Sequence, residues 1–184
     1  MYSTQNPIAK QSQQWLVTAL LDLMNDKNYT SISIKEISKK ADLDRSTFYR
    51  NFNSKEELLN YHLDSLMQEY IDELQQLKDF DMKNVCKVFF KFCNKNVNFI
   101  ISLRKNGLSN LLLEAFNVRL PIIHKLFRNK FPYKVSEVNL EFVLAFNAGG
   151  MWNLLMKLID NNSVKNFDDL TVIYEEISNF NFFK

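Results

Sequence analysis

Glycine and proline are scarce in this chain of 184 residues, which has three of each. Both residues interrupt helices, glycine through its backbone freedom and proline through its missing N–H group. So few breakers in so long a chain predict an all-α fold class, with helices joined by short links. Hydrophobic residues make up 46% of the chain, which is enough for a core and argues against wholesale disorder.

Cysteine and histidine are also few, at two each. Cys86 and Cys93 would lie about 10 Å apart along a helix, which is too far for a disulfide. We expect both to be small buried side chains in a reducing cytoplasm. Because no His or Cys cluster has the spacing of a zinc site, the sequence predicts neither a metal site nor a cofactor.

The sequence shows no pattern typical of a signal peptide, a transmembrane segment or a catalytic site. The N-terminus does not read as a signal peptide, and no apolar run has transmembrane length. We therefore expect a cytoplasmic protein with no membrane partner. The sequence also offers no nucleophile–base–acid set, no phosphate-cradling glycine loop and no metal-ligand pair. An all-helical enzyme is thus the least favoured interpretation.

Positive charge is concentrated in the N-terminal third. The net charge is only +2, but residues 27–55 carry seven basic and three acidic side chains, a local excess of four. Such a local excess is what phosphate binding needs. A solvated helix face would look similar, so the charge supports nucleic-acid binding only together with other signals.

The same stretch has the pattern of a helix-turn-helix. An amphipathic first helix is predicted over 9–24. Ser33 and Glu36 then form a capping box for a short second helix, and Asp42 lies in a turn. Asp44 is a suitable cap for a third helix over about 45–51, in which Phe48 faces inward.

The side chains predicted to contact double-stranded operator DNA are cations, hydroxyls and an amide, which bond phosphates and base edges. Most are on the outward face of the third helix. Two others lie at helix N-termini, where backbone amides favour a phosphate oxygen. The full set is Ser33, Arg45, Ser46, Thr47, Tyr49, Arg50, Asn51 and Lys55.

Residues 29–58 resemble the signature of the TetR/AcrR regulators. The most telling piece is Ser-Thr-Phe-Tyr at 46–49, then Phe52, then Ser-Lys-Glu-Glu-Leu at 54–58. The resemblance covers about residues 9–63 and implies a DNA-binding domain over 1–55 followed by an effector-binding and dimerisation domain over 56–184. It further implies a homodimeric repressor that a small-molecule effector releases.

By position, the resemblance also implies roles for single residues. Arg45, Ser46 and Thr47 match the start of the recognition helix, and Tyr49 and Lys55 match phosphate clamps. The sequence departs from the family at two positions. Asp42 lies in the turn where the family usually has glycine, and Asp44 lies where the family usually has serine or threonine. Aspartate tolerates left-handed backbone geometry, so we expect the turn to form with some strain.

The rest of the chain predicts more helices. A second capping box at 54–57 opens a long helix ending near Phe80, Asp81 caps a helix running toward Asn98, and Asn106-Gly107 is a stop. A helix over 109–128 contains Pro121, which either kinks this helix or starts a new one at its first turn. Residues 142–151 resemble the last paired helices of the family branch that contains a dihydroxyacetone kinase activator.

The helix predicted over 136–161 and a final helix from about 168 are expected to form a four-helix dimer interface. Apolar residues recur in steps of four and three along the first of them, and a second apolar side needs its own partner. The competing interpretation is the central helix of a monomer. The predicted interface residues are Phe142, Ala145, Gly149, Ile173 and Ile177.

A small-molecule pocket is the least specific of these predictions. Aromatic residues at helical spacing are more often core than pocket lining, and a histidine in an apolar context is more often structural than a ligand. The candidates are Phe89, Phe92, His124, Phe146 and Trp152. An adaptor or co-activator that acts through a partner protein remains the alternative to a repressor.

Overall fold

The computed structural model describes residues 7–130, 137–161 and 167–178. All regular elements within these residues are helical, which confirms the all-α prediction. The chain forms two compact units, the first made of residues 1–66 and 101–109 and the second of residues 67–100 and 110–184. The division after residue 66 falls inside a helix and lies later than the predicted end of the DNA-binding domain at residue 55. The first unit also includes residues 101–109, which are distant in sequence.

The first unit is a small helical bundle. Its helices are α1 (Pro7–Asp26), a 3-10 turn (Tyr29–Ser31), α2 (Ile34–Lys40), α3 (Arg45–Asn51) and the start of α4 (Lys55–Gln75). Apolar side chains from all four α-helices are fully buried. They are Leu16, Leu20, Ile37, Phe48, Phe52, Leu58 and Leu59. This core fixes the helix-turn-helix formed by α2 and α3.

The predicted helix caps are only partly correct. The first capping box is confirmed, since Ser33 caps α2 and Glu36 returns a bond to the Ser33 N–H group. In the second box Ser54 Oγ accepts from the Glu57 N–H at 3.1 Å, and the Glu57 carboxylate accepts from the Asn53 N–H at 2.6 Å. Asp44 occupies the N-cap position of α3 without a side-chain capping bond, so its predicted capping role is wrong.

The second unit contains the end of α4 followed by α5 (Met82–Lys95), α6 (Val97–Lys105, whose last turn is in the first unit), α7 (Ser109–Phe127), α8 (Glu137–Asn161) and α9 (Phe167–Ser178). Two boundaries differ from prediction, because α4 ends at Gln75 and a break at Asn96 separates α5 from α6. The Asn96 side chain donates to the Phe92 carbonyl at 3.0 Å, and this side-chain bond competes with continued helix.

Other predicted boundaries are confirmed. Asp81 caps α5 by accepting from the Asn84 N–H at 2.7 Å, and Gly107 ends the α6 segment with φ +71°. Pro121 lies inside α7 rather than starting a new helix. Its lack of an N–H leaves the carbonyl one turn earlier without a helical donor, and the exposed position of Pro121 lets water supply one.

An aromatic cluster forms much of the core of the second unit. The ring of Tyr70 lies 5.4 Å from those of both Phe92 and Phe116, and Phe89 lies 5.3 Å from Phe116. Most of these pairs meet edge to face, an arrangement that adds to the free energy of apolar burial. Cys86 and Cys93 are buried free thiols in the same unit, as predicted.

Helix α8 is long and apolar. An 18-residue window within residues 139–160 has a mean hydropathy of 1.4, and the helix is long and apolar enough by composition to cross a membrane. The core helix of a soluble protein passes the same test, and several α8 side chains are buried in the core of the second unit, Leu155 completely. Residue 136, at which the sequence predicts this helix to begin, lies outside the described residues.

Candidate nucleic-acid interface

The turn between α2 and α3 depends on Asp42. Its φ of 55° is in the left-handed region, as the sequence predicted for the residue that replaces glycine. The Asp42 N–H donates to the Lys39 carbonyl at 3.2 Å, and the Leu43 N–H donates to the Ser38 carbonyl at 3.0 Å. These bonds satisfy the last carbonyls of α2 and reverse the chain into α3.

Helix α3 is short, and its orientation is fixed by two phenylalanines. Phe48 and Phe52 are fully buried, with ring centroids 6.0 Å apart. Seven residues do not form a stable helix in isolation, so this burial is what holds α3 in place. The opposite side of the helix is consequently turned to solvent.

Ser46 and Arg50 lie at the centre of that solvent-facing side. They are one turn apart, opposite Phe48, and both are exposed. Arg50 Nη2 donates to Thr47 Oγ1 at 2.7 Å, which restrains the guanidinium while leaving its other N–H groups available. A restrained guanidinium suits recognition of guanine or phosphate.

The flanks of α3 differ. Arg45 and Tyr49 are exposed on one flank, and the Tyr49 ring stands edge-on to Phe48 at 5.7 Å. Thr47 and Asn51 are half-buried on the other flank, and Asn51 Nδ2 donates to the Thr47 carbonyl at 2.8 Å. Four of the predicted α3 residues are thus exposed to solvent. Thr47 and Asn51 are half-buried and hydrogen-bond to each other within the helix.

Ser33 is exposed at the N-terminus of α2, but its polar groups are engaged. Its N–H and its hydroxyl both donate to Glu36 Oε2, at 2.9 and 2.8 Å. Lys27 also pairs with this carboxylate. The hydrogen bonds from Lys27 and Ser33 lower the pKa of Glu36 to about 2. A phosphate approaching Ser33 would therefore meet the Lys27–Glu36 ion pair and a hydroxyl already bonded to Glu36.

Lys55 is at the start of α4, where the sequence placed a phosphate clamp. Its ammonium donates to the carbonyls of Tyr29 at 2.7 Å, Ile32 at 2.8 Å and Thr30 at 3.3 Å. It also lies 4.6 Å from the centroid of the Tyr29 ring. The structure places this half-buried lysine against the backbone of the first unit rather than among the exposed side chains of α3.

One residue that the sequence did not single out joins this region. Asn106, which follows α6, accepts from the Tyr29 N–H at 2.5 Å and donates to the Met24 carbonyl at 3.2 Å. Ser102 Oγ donates to the same Met24 carbonyl at 3.3 Å. The sequence signal was present only as the Asn-Gly pair that marks a helix end, and nothing in it indicated contacts with residues about 80 positions away.

The family model for bacterial regulatory proteins of the tetR family matches residues 16–61, which include all of α2 and α3. This segment of the chain is similar to the DNA-binding part of tetR-family regulators. Members of this family are transcriptional regulators that bind DNA through a helix-turn-helix. Helices α2 and α3 therefore lie in the part of the chain that corresponds to this motif.

Individual relatives cover nearly the whole chain. The dhaKLM operon transcriptional activator DhaS of Lactococcus lactis is 25% identical over 171 residues, spanning 91% of this chain and 87% of DhaS. The crystal structure of Lin0861 from Listeria innocua superposes with a TM-score of 0.77 at 19% identity, covering 98% and 96% of the two chains. A tetR-family regulator from Streptomyces coelicolor gives a TM-score of 0.62 at 17% identity, covering 88% and 76%.

The second unit contains a cavity of about 70 Å³. Its lining is mainly apolar, from α4, α5, α7 and α8, with His124 and Asn147 among the polar contributors. Asn147 is already hydrogen-bonded, since it accepts from the Tyr174 hydroxyl and donates to the Val143 carbonyl.

The other predicted pocket residues are distributed differently. Phe89 and Trp152 line a smaller cavity of about 10 Å³ that shares Tyr70 and Met151 with the larger one. Phe92 is fully buried in the aromatic cluster. Phe146 is 79% exposed on α8 and lines neither cavity.

Proposed function

We propose that the chain is a homodimeric repressor that binds double-stranded operator DNA through α3 and is released by a small-molecule effector. The observation that carries the DNA-binding part is the solvent-facing side of α3, held outward by buried Phe48 and Phe52. Arg45, Ser46 and Arg50 offer cationic and hydroxyl donors on that side. These groups bond phosphates and base edges in the major groove.

Selection of bound duplexes from a random pool tests this proposal. We expect an operator with two related half-sites about one helical turn apart, roughly 34 Å, since each short helix reads few base pairs. Affinity should fall steeply with salt, because phosphate contacts release counterions. Recovery of no common motif, with affinity independent of salt, would argue against DNA recognition by α3.

The dimer proposal rests on an apolar stripe that α8 leaves exposed. Phe142 is 75% exposed and Phe146 is 79% exposed, one turn apart. The stripe continues through Ala145 to the glycine pair at 149 and 150. No described atom outside the local helix backbone lies within 4 Å of a Cβ built at either glycine, so a second helix can approach closely there.

The exposure of the predicted interface residues changes along α8. Phe142, Ala145 and Gly149 lie at or near the exposed stripe, and Ile177 of α9 is exposed while Ile173 is half-buried. Trp152 and Met156, which continue the same rhythm in the sequence, are buried within their own unit. The proposed interface therefore occupies the first part of α8 and adds α9, instead of following the whole predicted face.

Sedimentation equilibrium at micromolar protein tests the assembly. A species of twice the 21.8 kDa chain mass is expected, since exposed aromatic side chains on a helix gain free energy when a second copy covers them. A single species at the chain mass would contradict the dimer and leave the DNA-binding proposal standing.

The effector proposal rests on the cavity that includes His124. Its volume of about 70 Å³ is below the 150 Å³ or so of an engineered cavity that binds benzene. A small, mainly apolar effector with one polar group for His124 fits this lining. Xenon NMR tests whether the cavity accepts an apolar probe, and we expect shifts at Ile123 and Leu140. Unshifted methyl signals would contradict an accessible cavity.

Activation is a second candidate, and the similarity to DhaS favours it because that protein is named a transcriptional activator. A regulator of that kind would act in the cytoplasm through a partner protein as well as DNA. A reporter gene behind the selected operator separates the two signs of regulation. Expression that rises when the gene for this chain is deleted indicates a repressor, and expression that falls indicates an activator.

A further inference from the structure

The connector between α1 and α2 leads directly into the N-cap of α2. Together with the last turn of α1, which includes Met24, it runs through the 3-10 turn to Ile32. Four of its carbonyl oxygens accept bonds from side chains elsewhere in the first unit, namely those of Met24, Tyr29, Thr30 and Ile32. The connector is thus fixed by side chains rather than by a continuous helix.

Two residues hold this connector from different helices. Lys55 binds three of its carbonyls, including that of Tyr29. Asn106 accepts from the Tyr29 N–H and donates to the Met24 carbonyl. Both backbone polar groups of the buried Tyr29 therefore have a side-chain partner, one supplied by α4 and the other by the segment after α6.

The ammonium of Lys55 has three hydrogens and three carbonyl acceptors within 3.3 Å. A phosphate would have to replace at least one of these bonds, and the released carbonyl would lose its charge-assisted donor. The exposed cations of α3 incur no such loss. Lys55 is therefore poorly placed to act as a phosphate clamp and well placed to fix the connector.

We infer that Lys55 and Asn106 are positioning residues for DNA recognition, which hold the α1–α2 connector, and with it α2 and α3, without touching DNA. This inference rests on the proposed DNA contacts of α3. Two contributions to DNA affinity can then be distinguished. The contribution of phosphate contacts depends on salt, whereas the contribution of a correctly oriented helix-turn-helix does not.

The test uses the full chain and the duplex selected from the random pool. Lys55→Met keeps the aliphatic stem and removes the ammonium, and Asn106→Asp keeps the acceptor and removes the donor. We expect affinity at fixed salt to fall at least about tenfold for Lys55→Met. The slope of log affinity against log salt should stay at its wild-type value. Arg50→Met, the matched control on α3, should lower that slope by about one.

Backbone hydrogen exchange supplies a readout that a phosphate contact would not move. In the unbound protein, the amide of Ile32 should exchange faster in Lys55→Met, and that of Tyr29 should do so in Asn106→Asp. The double variant should lose less affinity than the two single losses combined, because both residues act on one connector.

Three results would overturn the inference: a slope lowered by about one in Lys55→Met, wild-type affinity in both variants, or unchanged amide exchange. If Lys55→Met fails to fold, the Lys55 Nζ signal of the wild-type protein decides, since it should not shift when operator is added. An unchanged slope in Arg50→Met would instead count against DNA contact by α3, and the exchange data would still test the connector.

Discussion

The two units expose opposite kinds of side chain on the surfaces proposed for binding. In the first unit, α3 buries its aromatic pair and exposes arginines and a serine. In the second unit, large apolar side chains lie exposed on three helices: Val118, Ile122, Leu126, Phe142, Val143, Phe146, Val172 and Ile177. A polar face suits a hydrated, charged partner such as DNA, whereas an apolar face gains free energy only when another apolar surface covers it.

Burial, rather than residue type, therefore distinguishes the aromatic side chains that stabilise a unit from those that can contact another molecule. Phe48 and Phe146 are both phenylalanines on helices. One is fully buried and holds α3 in place, and the other is 79% exposed. Replacing each of the two phenylalanines by alanine is therefore the most direct test of this difference.

Phe48→Ala should have the largest effect on stability. Removal of a fully buried phenylalanine leaves a cavity and lowers the free energy of unfolding by roughly 3–5 kcal/mol. DNA binding should weaken at the same time, because Phe48 is one of the two buried phenylalanines that fix the orientation of α3. Phe146→Ala should change the stability of the monomer by less than about 0.5 kcal/mol. Urea denaturation of dilute protein measures both, and equal losses would contradict the assigned burial.

Gly149→Glu tests the apolar face of the second unit. A glutamate at the stripe would be buried without a partner in a dimer, so the dimer Kd should rise by at least about a hundredfold, near 3 kcal/mol. Ile122→Glu is the matched control, since it places the same charge on the exposed apolar face of α7. Sedimentation should show a monomer for the first variant and a dimer for the second. Dissociation in Ile122→Glu alone would move the interface to α7.

The sequence predicted features that depend on residues a few positions apart. The Ser33–Glu36 capping box, the left-handed Asp42 and the buried Phe48 all follow from local rules, and the structure confirms each of them. The break at Asn96 is also local, but the apolar pattern continues across it and concealed it. Local pattern thus predicts the helix-turn-helix well and helix ends less well.

The remainder depends on contacts that sequence separation hides. Lys55 and Tyr29 are 26 positions apart, and Asn106 and Tyr29 are 77 apart. No periodicity indicates that these groups meet, so a lysine at a helix N-terminus reads as a phosphate ligand. Phe142 and Phe146 show the same limit, because helical spacing places them on one face without saying whether that face is covered.

Arg50→Ala should alter base preference. Its guanidinium is at the centre of the exposed side of α3 and is restrained by Thr47. A lost base contact should cost roughly 1–3 kcal/mol for the preferred duplex and relax the motif at one position. Arg128→Ala, at an exposed arginine of the second unit, should leave the motif unchanged. Selection from the random pool with each variant decides, and an unaltered motif with Arg50→Ala would exclude base readout by this residue.

Tyr49→Phe should give the smallest effect, and it isolates one hydroxyl. Tyr49 is 51% exposed while its ring packs against Phe48, so phenylalanine keeps the packing and removes only the donor. Because the exposed hydroxyl exchanges a hydrogen bond to water for one to phosphate, its net contribution is about 0.5–1.5 kcal/mol, and affinity should fall by that amount for preferred and unrelated duplexes alike. The salt slope should not change, because no charge is lost.

The matched control for Tyr49→Phe comes from the second unit. Tyr174→Phe removes a hydroxyl that donates to Asn147 and should leave DNA affinity unchanged. Titration of fluorescent duplexes at two salt concentrations measures both variants. Wild-type affinity in Tyr49→Phe would show that this hydroxyl makes no DNA contact. A loss confined to the preferred duplex would place the hydroxyl against a base edge, which would make α3 a reader of sequence along its flank as well as at its centre.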